Sequence, residues 1–413
     1  MPPRIRSGLR SLQNWSMAIF TQSTGVPVHD RDGYVYPRTD QAETVVEALK
    51  KCMRQLGIRI CTNCTVLGIE KAAQGIGRDS FCIHYKISAQ EKTVSGIPGR
   101  GKEKKKGKGA ADTISMKTGR KPVSRAAEPA AVEKQDSFCC DAVILCTGGL
   151  AGPSFGCSGD GYRMAEHFSH TVISPLPALT RLETEDPFLR RAAGVRCHAS
   201  VTLLREADQS DQPGRGCHPD RNICEDGELQ ITENSLSGIP VFQISGTAAG
   251  LLSQGRRVRV LVDFLPEFTR QEYEKEMQER LVQDRGQMLG DFLLGLAHRK
   301  VIDMILARSG LQAEMKARRL TDGELRGIME TLRALELEVT ATGGFEHAQV
   351  TKGGVPLSEI ADSFASRKEA GLFLAGELLD VDGRCGGYNL QWAMTSGLIA
   401  GRSAAGYLHF DNR

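Results

Sequence analysis

The chain has 413 residues, 40% of them hydrophobic and 25% charged, with a formal net charge of +3. That composition suits two or three soluble domains, and so small a charge argues against a nucleic-acid partner. No stretch approaches the roughly 18 consecutive apolar residues of a membrane span, and the basic opening "MPPRIRSGLRSLQNWSMAIF" lacks the apolar core of a signal peptide.

In chain order, the first periodic segment is "QAETVVEALKKCMRQL", 41–56, which places Val45, Leu49, Cys52, Met53 and Leu56 on one helical face. Asp40 with Glu43 resembles a capping box for it. "GIRICTNCTVLGIEKA" and "SFCIHYKIS" read as strands. Cys61 and Cys64 form a CxxC, but on a strand they point to opposite faces, and no second CxxC completes a zinc site. From Glu91 to about Gln135 the chain turns to Gly, Lys, Ala and Ser, including "GRGKEKKKGKGAAD", so 91–135 is expected to be a flexible insertion. No aromatic residue interleaves with those lysines to stack on bases.

"CDAVILCTGG", 140–149, is a short apolar run ending in glycines, the pattern of a buried parallel strand. "GDGYRMAEHFSH" follows as a helix. Residues 180–262 read as mostly β, with "ASVTLLRE", "GELQITE" and "RRVRVLVDFLP" as strands and a polar loop near 207–226. Cys217, His218 and Cys224 in that loop lack a fourth ligand at usual spacing, so no metal site is expected. Residues 268–336 turn helical, as in "LGDFLLGLAHRKVIDMILARSG". "LEVTATGGFEHAQVTKGGV" returns to strands, "GLFLAGELLD" is a second buried strand, and 389–407 is the closing helix. The α/β pieces lie at both ends, which suggests one nucleotide-binding domain interrupted by insertions. The twelve cysteines then read as reduced thiols of a cytoplasmic protein.

Ligands of doubly wound folds bind at the carboxyl edge of the sheet. Two glycine-ended strands supply such an edge here, at Thr147-Gly148-Gly149 and at Ala375-Gly376-Glu377. In "VDGRCGGYNLQWAMTSG", Gly383, Gly386 and Gly387 precede a helix beginning near Asn389, whose free N–H groups favour an anion or a ring with partial negative charge.

The blocks "GYVYPRTDQAETVVEAL", "AVILCTGG", "GCSGDGYRMAEHFSH", "GELQITENSLSGIPVFQIS", "VTATGGFEHAQVTKGGV" and "LFLAGELLDVDGRCGGYNLQWAMTSGLIAG" resemble the BaiN/YhiN-like flavoproteins, the NAD(P)/FAD-dependent or aminoacetone oxidase-like family. The resemblance runs from Gly33 to Gly406 except for 91–135. It implies an α/β fold: an interrupted Rossmann-like FAD-binding domain (1–178 and 355–413), an inserted β domain (179–263 and 338–354) and a helical domain (264–337). It implies FAD contacts at Val66, Thr147, Gly148, Gly149, Gly376, Glu377, Asp380, Gly383, Gly386, Gly387, Tyr388, Asn389, Leu390 and Gln391. The family usually carries "GPTGGYN" where this chain has Arg384 and Cys385.

Members of that family also open with a strand and "GGGAAG", followed by "SGGGRCN", to hold pyrophosphate and ribose. Neither motif is found here, and no complete G-x-G-x-x-G occurs, so the 413 residues are expected to bind FAD weakly or not at all. The resemblance implies a FAD-dependent oxidoreductase, with NAD(P)H as electron donor, that reduces a carbon–carbon double bond conjugated to a ketone in a small molecule. Tyr388 and His347 are the nominable proton donors, His347 on a strand-like segment. The alternative is a truncated, inactive flavoprotein remnant or a non-enzymatic binding protein.

Overall fold

The computed structural model describes residues 19–31, 33–72, 81–88, 133–204, 222–283 and 286–410. A hairpin of β1 (Val28–Arg31) and β2 (Tyr34–Pro37) leads to α1 (Ala42–Gln55). The expected capping box does not form. Asp40 has φ of +52°, and its carboxylate lies 3.2 Å from Arg31 and 3.4 Å from His29, while Gln41 takes the cap position without a side-chain bond.

β3 (Cys64–Lys71), β4 (Phe81–Ser88) and β5 (Glu133–Cys140) form an antiparallel sheet. The strand expected over the whole of "GIRICTNCTVLGIEKA" begins only at Cys64, after Asn63 at φ +57° turns the chain, so Cys61 lies outside it. Most of the expected insertion 91–135 lies outside the described residues. Its last three residues, 133–135, belong to β5, because Ser88 pairs with Glu133 and the ladder continues from there.

β6 (Val143–Leu145) is followed by α2 (Asp160–His167), β7 (Ile173–Ala178), the two-residue β8 (Leu182–Glu183) and β9 (Arg196–Leu204). Then come β10 (Ile223–Ile231), β11 (Ser235–Gly238), α3 (Ile239–Ser253) and β12 (Val258–Asp263). The segment 180–262, expected to be mostly β, also holds the helix α3. The helix is apolar nearly all round, with Val241, Ile244, Ala248 and Ala249 buried, so it carries no amphipathic period. Cys217 and His218 lie outside the described residues, and Cys224 belongs to β10 rather than to a loop, with its thiol 3.0 Å from the Ser200 hydroxyl.

The helical run follows as α4 (Arg270–Gln283), α5 (Leu289–Phe292), α6 (Arg299–Arg308) and α7 (Asp322–Arg333). The helical stretch 289–310 forms two helices, α5 and α6. Gly295 at φ +85° breaks it, and His298 caps α6 by accepting from the Lys300 amide at 3.2 Å. The chain closes with β13 (Leu335–Val339), β14 (Ala341–Thr342), β15 (Val350–Gly354), β16 (Leu372–Leu374) and α8 (Tyr388–Phe410).

Seven strands form an antiparallel sheet in the order β13-β12-β9-β10-β11-β8-β14. Alternation sets its buried face: Val258, Val260 and Val262 are fully buried on β12 while the residues between them are not. That face shares one core with α3 and α4–α7. A second core gathers β6, β16, α2, Ile69 of β3 and Phe81 of β4. β6 and β16 pair in parallel, Leu372 with Val143 and Leu374 with Leu145. The expected mixed α/β architecture with a parallel pair is therefore present. No described helix is long and apolar enough to cross a membrane.

Candidate functional site: the glycine edge

Because β6 and β16 run in parallel, both release their chains at the same edge. The Ala375 amide still donates to the Leu145 carbonyl at 3.0 Å, so Thr147-Gly148-Gly149 and Gly376-Glu377 leave side by side. Gly148 and Gly376 both have φ of +74°. Thr147 is capped from above by α2: a Cβ at Gly161 would stand 1.8 Å from the Thr147 hydroxyl, so only glycine lets that helix approach.

Thr351 on β15, which sequence reasoning passed over, fastens the two turns together. Its hydroxyl accepts from the Leu150 and Ala151 amides at 2.8 and 2.9 Å, and its own amide donates to Glu377 Oε1 at 2.7 Å. Gly149 sits against this link, where a Cβ would stand 2.3 Å from the Thr351 hydroxyl. Asp380 accepts from the Gly353 amide at 3.1 Å and so joins the following segment to β15. From α8, Ser396 accepts from the Gly376 amide at 2.9 Å and Trp392 donates to the Gly376 carbonyl at 2.9 Å.

The loop 381–387 is shaped by Asn389. Its Oδ1 accepts from the Gly383 amide at 2.7 Å and its Nδ2 donates to the Gly383 carbonyl at 3.0 Å, closing a ring at the mouth of α8. Arg384 makes a two-pronged pair with Glu225 of β10 at 2.8 and 2.5 Å, and these hydrogen bonds to Glu225 push the Arg384 pKa up. The Cys385 amide donates to Gln243 of α3 at 3.2 Å, and Lys352 lies 3.3 Å from Asp382. Arg384, where the resembled family has proline, thus adds a side-chain tether to the seven-stranded sheet, and the backbone at 385 is tied to α3. Gly386 and Gly387 have φ of +117° and +88°, and a Cβ at Gly387 would meet nothing within 4 Å. Tyr388 opens α8, edge-on to Tyr34 of β2 with centroids 6.3 Å apart. Tyr388 and Leu390 are exposed, and Gln391 donates to Thr395 at 3.0 Å.

Thirteen of the expected contact residues therefore lie on the two turns, the loop they feed and the start of α8. Val66 stands apart on β3, opposite Tyr85, with its side chain against the second core. His347 is in an exposed turn beside Glu346 rather than on a strand, because its amide closes onto the Gly344 carbonyl at 2.9 Å. Tyr162 of α2 is a further residue the sequence did not single out. It is 6% exposed, its hydroxyl meets no hydrogen-bond partner among the described residues, and burial, then the Glu377 and Asp380 carboxylates, push its pKa far up. The neutral phenol is thus the form present, a donor set among the residues of the glycine turns.

The model of the HI0933-like protein Rossmann domain matches residues 108–403. The chain belongs to the HI0933-like family. It is 33% identical over 388 residues to a 3-dehydro-bile acid delta(4,6)-reductase of Clostridium scindens, covering 94% of this chain and 79% of that one. It is 30% identical over 261 residues to a ribosomal RNA dihydrouridine synthase of Haemophilus influenzae, covering 62% of this chain and 58% of the relative. With the Escherichia coli ribosomal RNA dihydrouridine synthase it shares 27% over 280 residues, 64% of this chain and 62% of that one. Membership in this family, with the reductase as relative, supports a flavin-type oxidoreductase.

Proposed function

We propose that the chain is a FAD-dependent oxidoreductase, with NAD(P)H as electron donor, that reduces a carbon–carbon double bond conjugated to a carbonyl in a small molecule. The observation that carries this reading is the convergence of two glycine turns and the N-terminus of a 23-residue helix on one edge, with Gly387 open to approach. The residues there fit a flavin nucleotide. At Gly376 and Gly387 an added Cβ would meet nothing within 4 Å, so the backbone there is open to approach.

When bound, FAD supplies hydride from its reduced ring to the carbon β to the carbonyl. The chain's part is binding and orientation. The positive end of α8 favours the partial negative charge of a reduced ring, by about 0.3–1 kcal/mol where exposed and up to about 2 where partly buried. Asn389, Thr351, Trp392 and Ser396 hold the turns in place, so little ordering remains to be done on binding. Domain limits at 1–178, 179–263, 264–337, 338–354 and 355–413 belong to the same proposal.

The substrate class follows from chemistry that the relatives' names share. A 4,6-dienone steroid and a uracil ring both present C=C conjugated to C=O, which accepts hydride at the β carbon. The small-molecule arm is favoured because the reductase aligns with 94% of this chain and the RNA-modifying relatives with 62% and 64%. The test supplies FAD, NADH or NADPH and a steroid 4-en-3-one or 4,6-dien-3-one, and follows loss of the conjugated absorbance. Loss that requires FAD and the protein supports the reading. Saturable FAD binding with neither enone nor uridine consumed would favour the non-enzymatic alternative.

A further inference from the structure

We propose that Cys82 and Cys139 are a redox modification site, oxidised to a cross-strand disulfide by a low-molecular-weight disulfide of the glutathione type. The two residues are direct partners in the β4–β5 ladder, so they share a face of the sheet. Both are free thiols in the structure, Cys139 exposed and Cys82 partly buried. The Cys82 thiol beside Cys139 is the first cause that raises the Cys139 pKa.

The neighbouring thiol is not equivalent. Cys140 alternates to the other face, opposite Phe81, which is fully buried in the second core. An oxidant arriving from solvent meets Cys139 first, and the nearest sulfur on the same face is Cys82.

Geometry sets the character of the bond. Directly opposed β residues hold their Cβ atoms about 4.5–5.5 Å apart, whereas a disulfide needs about 3.5–4.5 Å. The strands must close by roughly 1 Å, which strains the bond and makes it easily reduced. Such a bond is labile rather than permanent.

The step balances as thiol–disulfide exchange. The Cys139 thiolate attacks one sulfur of R–S–S–R, and the first RS⁻ leaves as a mixed disulfide forms. The Cys82 thiolate then attacks the Cys139 sulfur, and the second RS⁻ leaves. The cysteine pair loses two electrons and two protons, and two RSH molecules carry them away. The raised Cys139 pKa makes the first step slow at neutral pH and faster in alkali. β5 ends at Cys140 and β6 begins at Val143, so the bond would fasten the strand that runs into the Thr147–Gly149 turn.

The experiment incubates the full chain with oxidised glutathione, blocks remaining thiols with an alkylating agent, and maps cross-linked peptides by mass spectrometry without reduction. The expected result is a Cys82–Cys139 cross-link, reversed by mild dithiothreitol, formed about tenfold faster for each unit that pH rises while it stays below the thiol pKa. Cys140→Ser keeps the cross-link, and Cys82→Ser leaves only a glutathione adduct on Cys139. In urea the preference should vanish among the twelve cysteines, since it rests on the folded register. A glutathione adduct on Cys139 of the native parent with no cross-link would overturn the proposal. So would a cross-link that runs instead to Cys140 or Cys64.

Discussion

A methyl group added at Gly387 meets no atom within 4 Å, yet the backbone there has φ of +88°. At Gly149 the reverse holds: φ is ordinary, and the added methyl would stand 2.3 Å from Thr351. The two substitutions should therefore fail differently. Gly387→Ala carries backbone strain of about 1–3 kcal/mol and places a methyl where flavin must approach, so FAD affinity should fall with the melting temperature. Gly149→Ala overpacks the Thr351 link, at about 1–3 kcal/mol, and should lower the melting temperature whether or not FAD is present. Gly406→Ala, within α8 and with open space, should leave FAD affinity unchanged and raise stability by up to about 1 kcal/mol through helix propensity. Thermal melts with and without FAD separate the three. The glycines themselves were legible because turn residues announce themselves locally. Thr351 and Tyr162 were not, since what distinguishes them is a partner some 200 residues away for one and the lack of a partner among the described residues for the other.

At the scale of elements, periodic segments were readable and uniform ones were not. α1, α2 and α7 carry a clear apolar stripe, and β6 and β16 are short apolar runs ending in glycines. α3 has no polar face, so its sequence fits a buried strand as well as a buried helix until its length and neighbours are known. The β4–β5 pair makes a prediction about the lysine-rich insertion. Ser88 and Glu133 are register partners, so a two-residue Asn-Gly turn can join the strands in place of 89–132. The shortened protein should melt within a few degrees of the parent, and a collapse of the fold would show that those residues are needed. A second prediction concerns the segment after α2. His170 is buried with its ring 2.9 Å from Glu359 and 2.8 Å from Ser366, and Lys368 lies 2.8 Å from Glu359. Burial alone would raise the Glu359 pKa, but hydrogen bonds from Lys368, Thr171 and His170 outweigh it and hold the group at about 2. A carboxylate so depressed adds stability above its ordinary pKa of about 4.3 and loses it as pH falls toward 2. The melting-temperature gap between parent and Glu359→Gln should shrink as pH falls from 5 to 2. A gap independent of pH in that window would contradict the role given to the charge.

Across the whole molecule, two cores meet at the loop that feeds α8. Arg384 reaches Glu225 on the seven-stranded sheet, and the Cys385 amide reaches Gln243 on α3. The Arg384 side chain is 61% exposed, and pairs of that kind contribute only about 0.2–1 kcal/mol to stability. Arg384→Ala should therefore melt close to the parent but bind FAD several-fold more weakly, because the loop is no longer held in place. Equal affinity would make the tether incidental. Sequence order suggested α/β segments at both ends of the β and helical ones, but no local pattern could have paired Arg384 with a glutamate 159 positions earlier. The central claim is that the glycine edge holds the flavin, and an FAD titration of the parent and Gly387→Ala, followed by flavin fluorescence or absorbance, tests it most directly. The account predicts saturable binding by the parent, reached at high flavin concentration, and an affinity at least tenfold weaker in Gly387→Ala. Equal affinity in the two proteins, or no saturable binding by the parent, would contradict it.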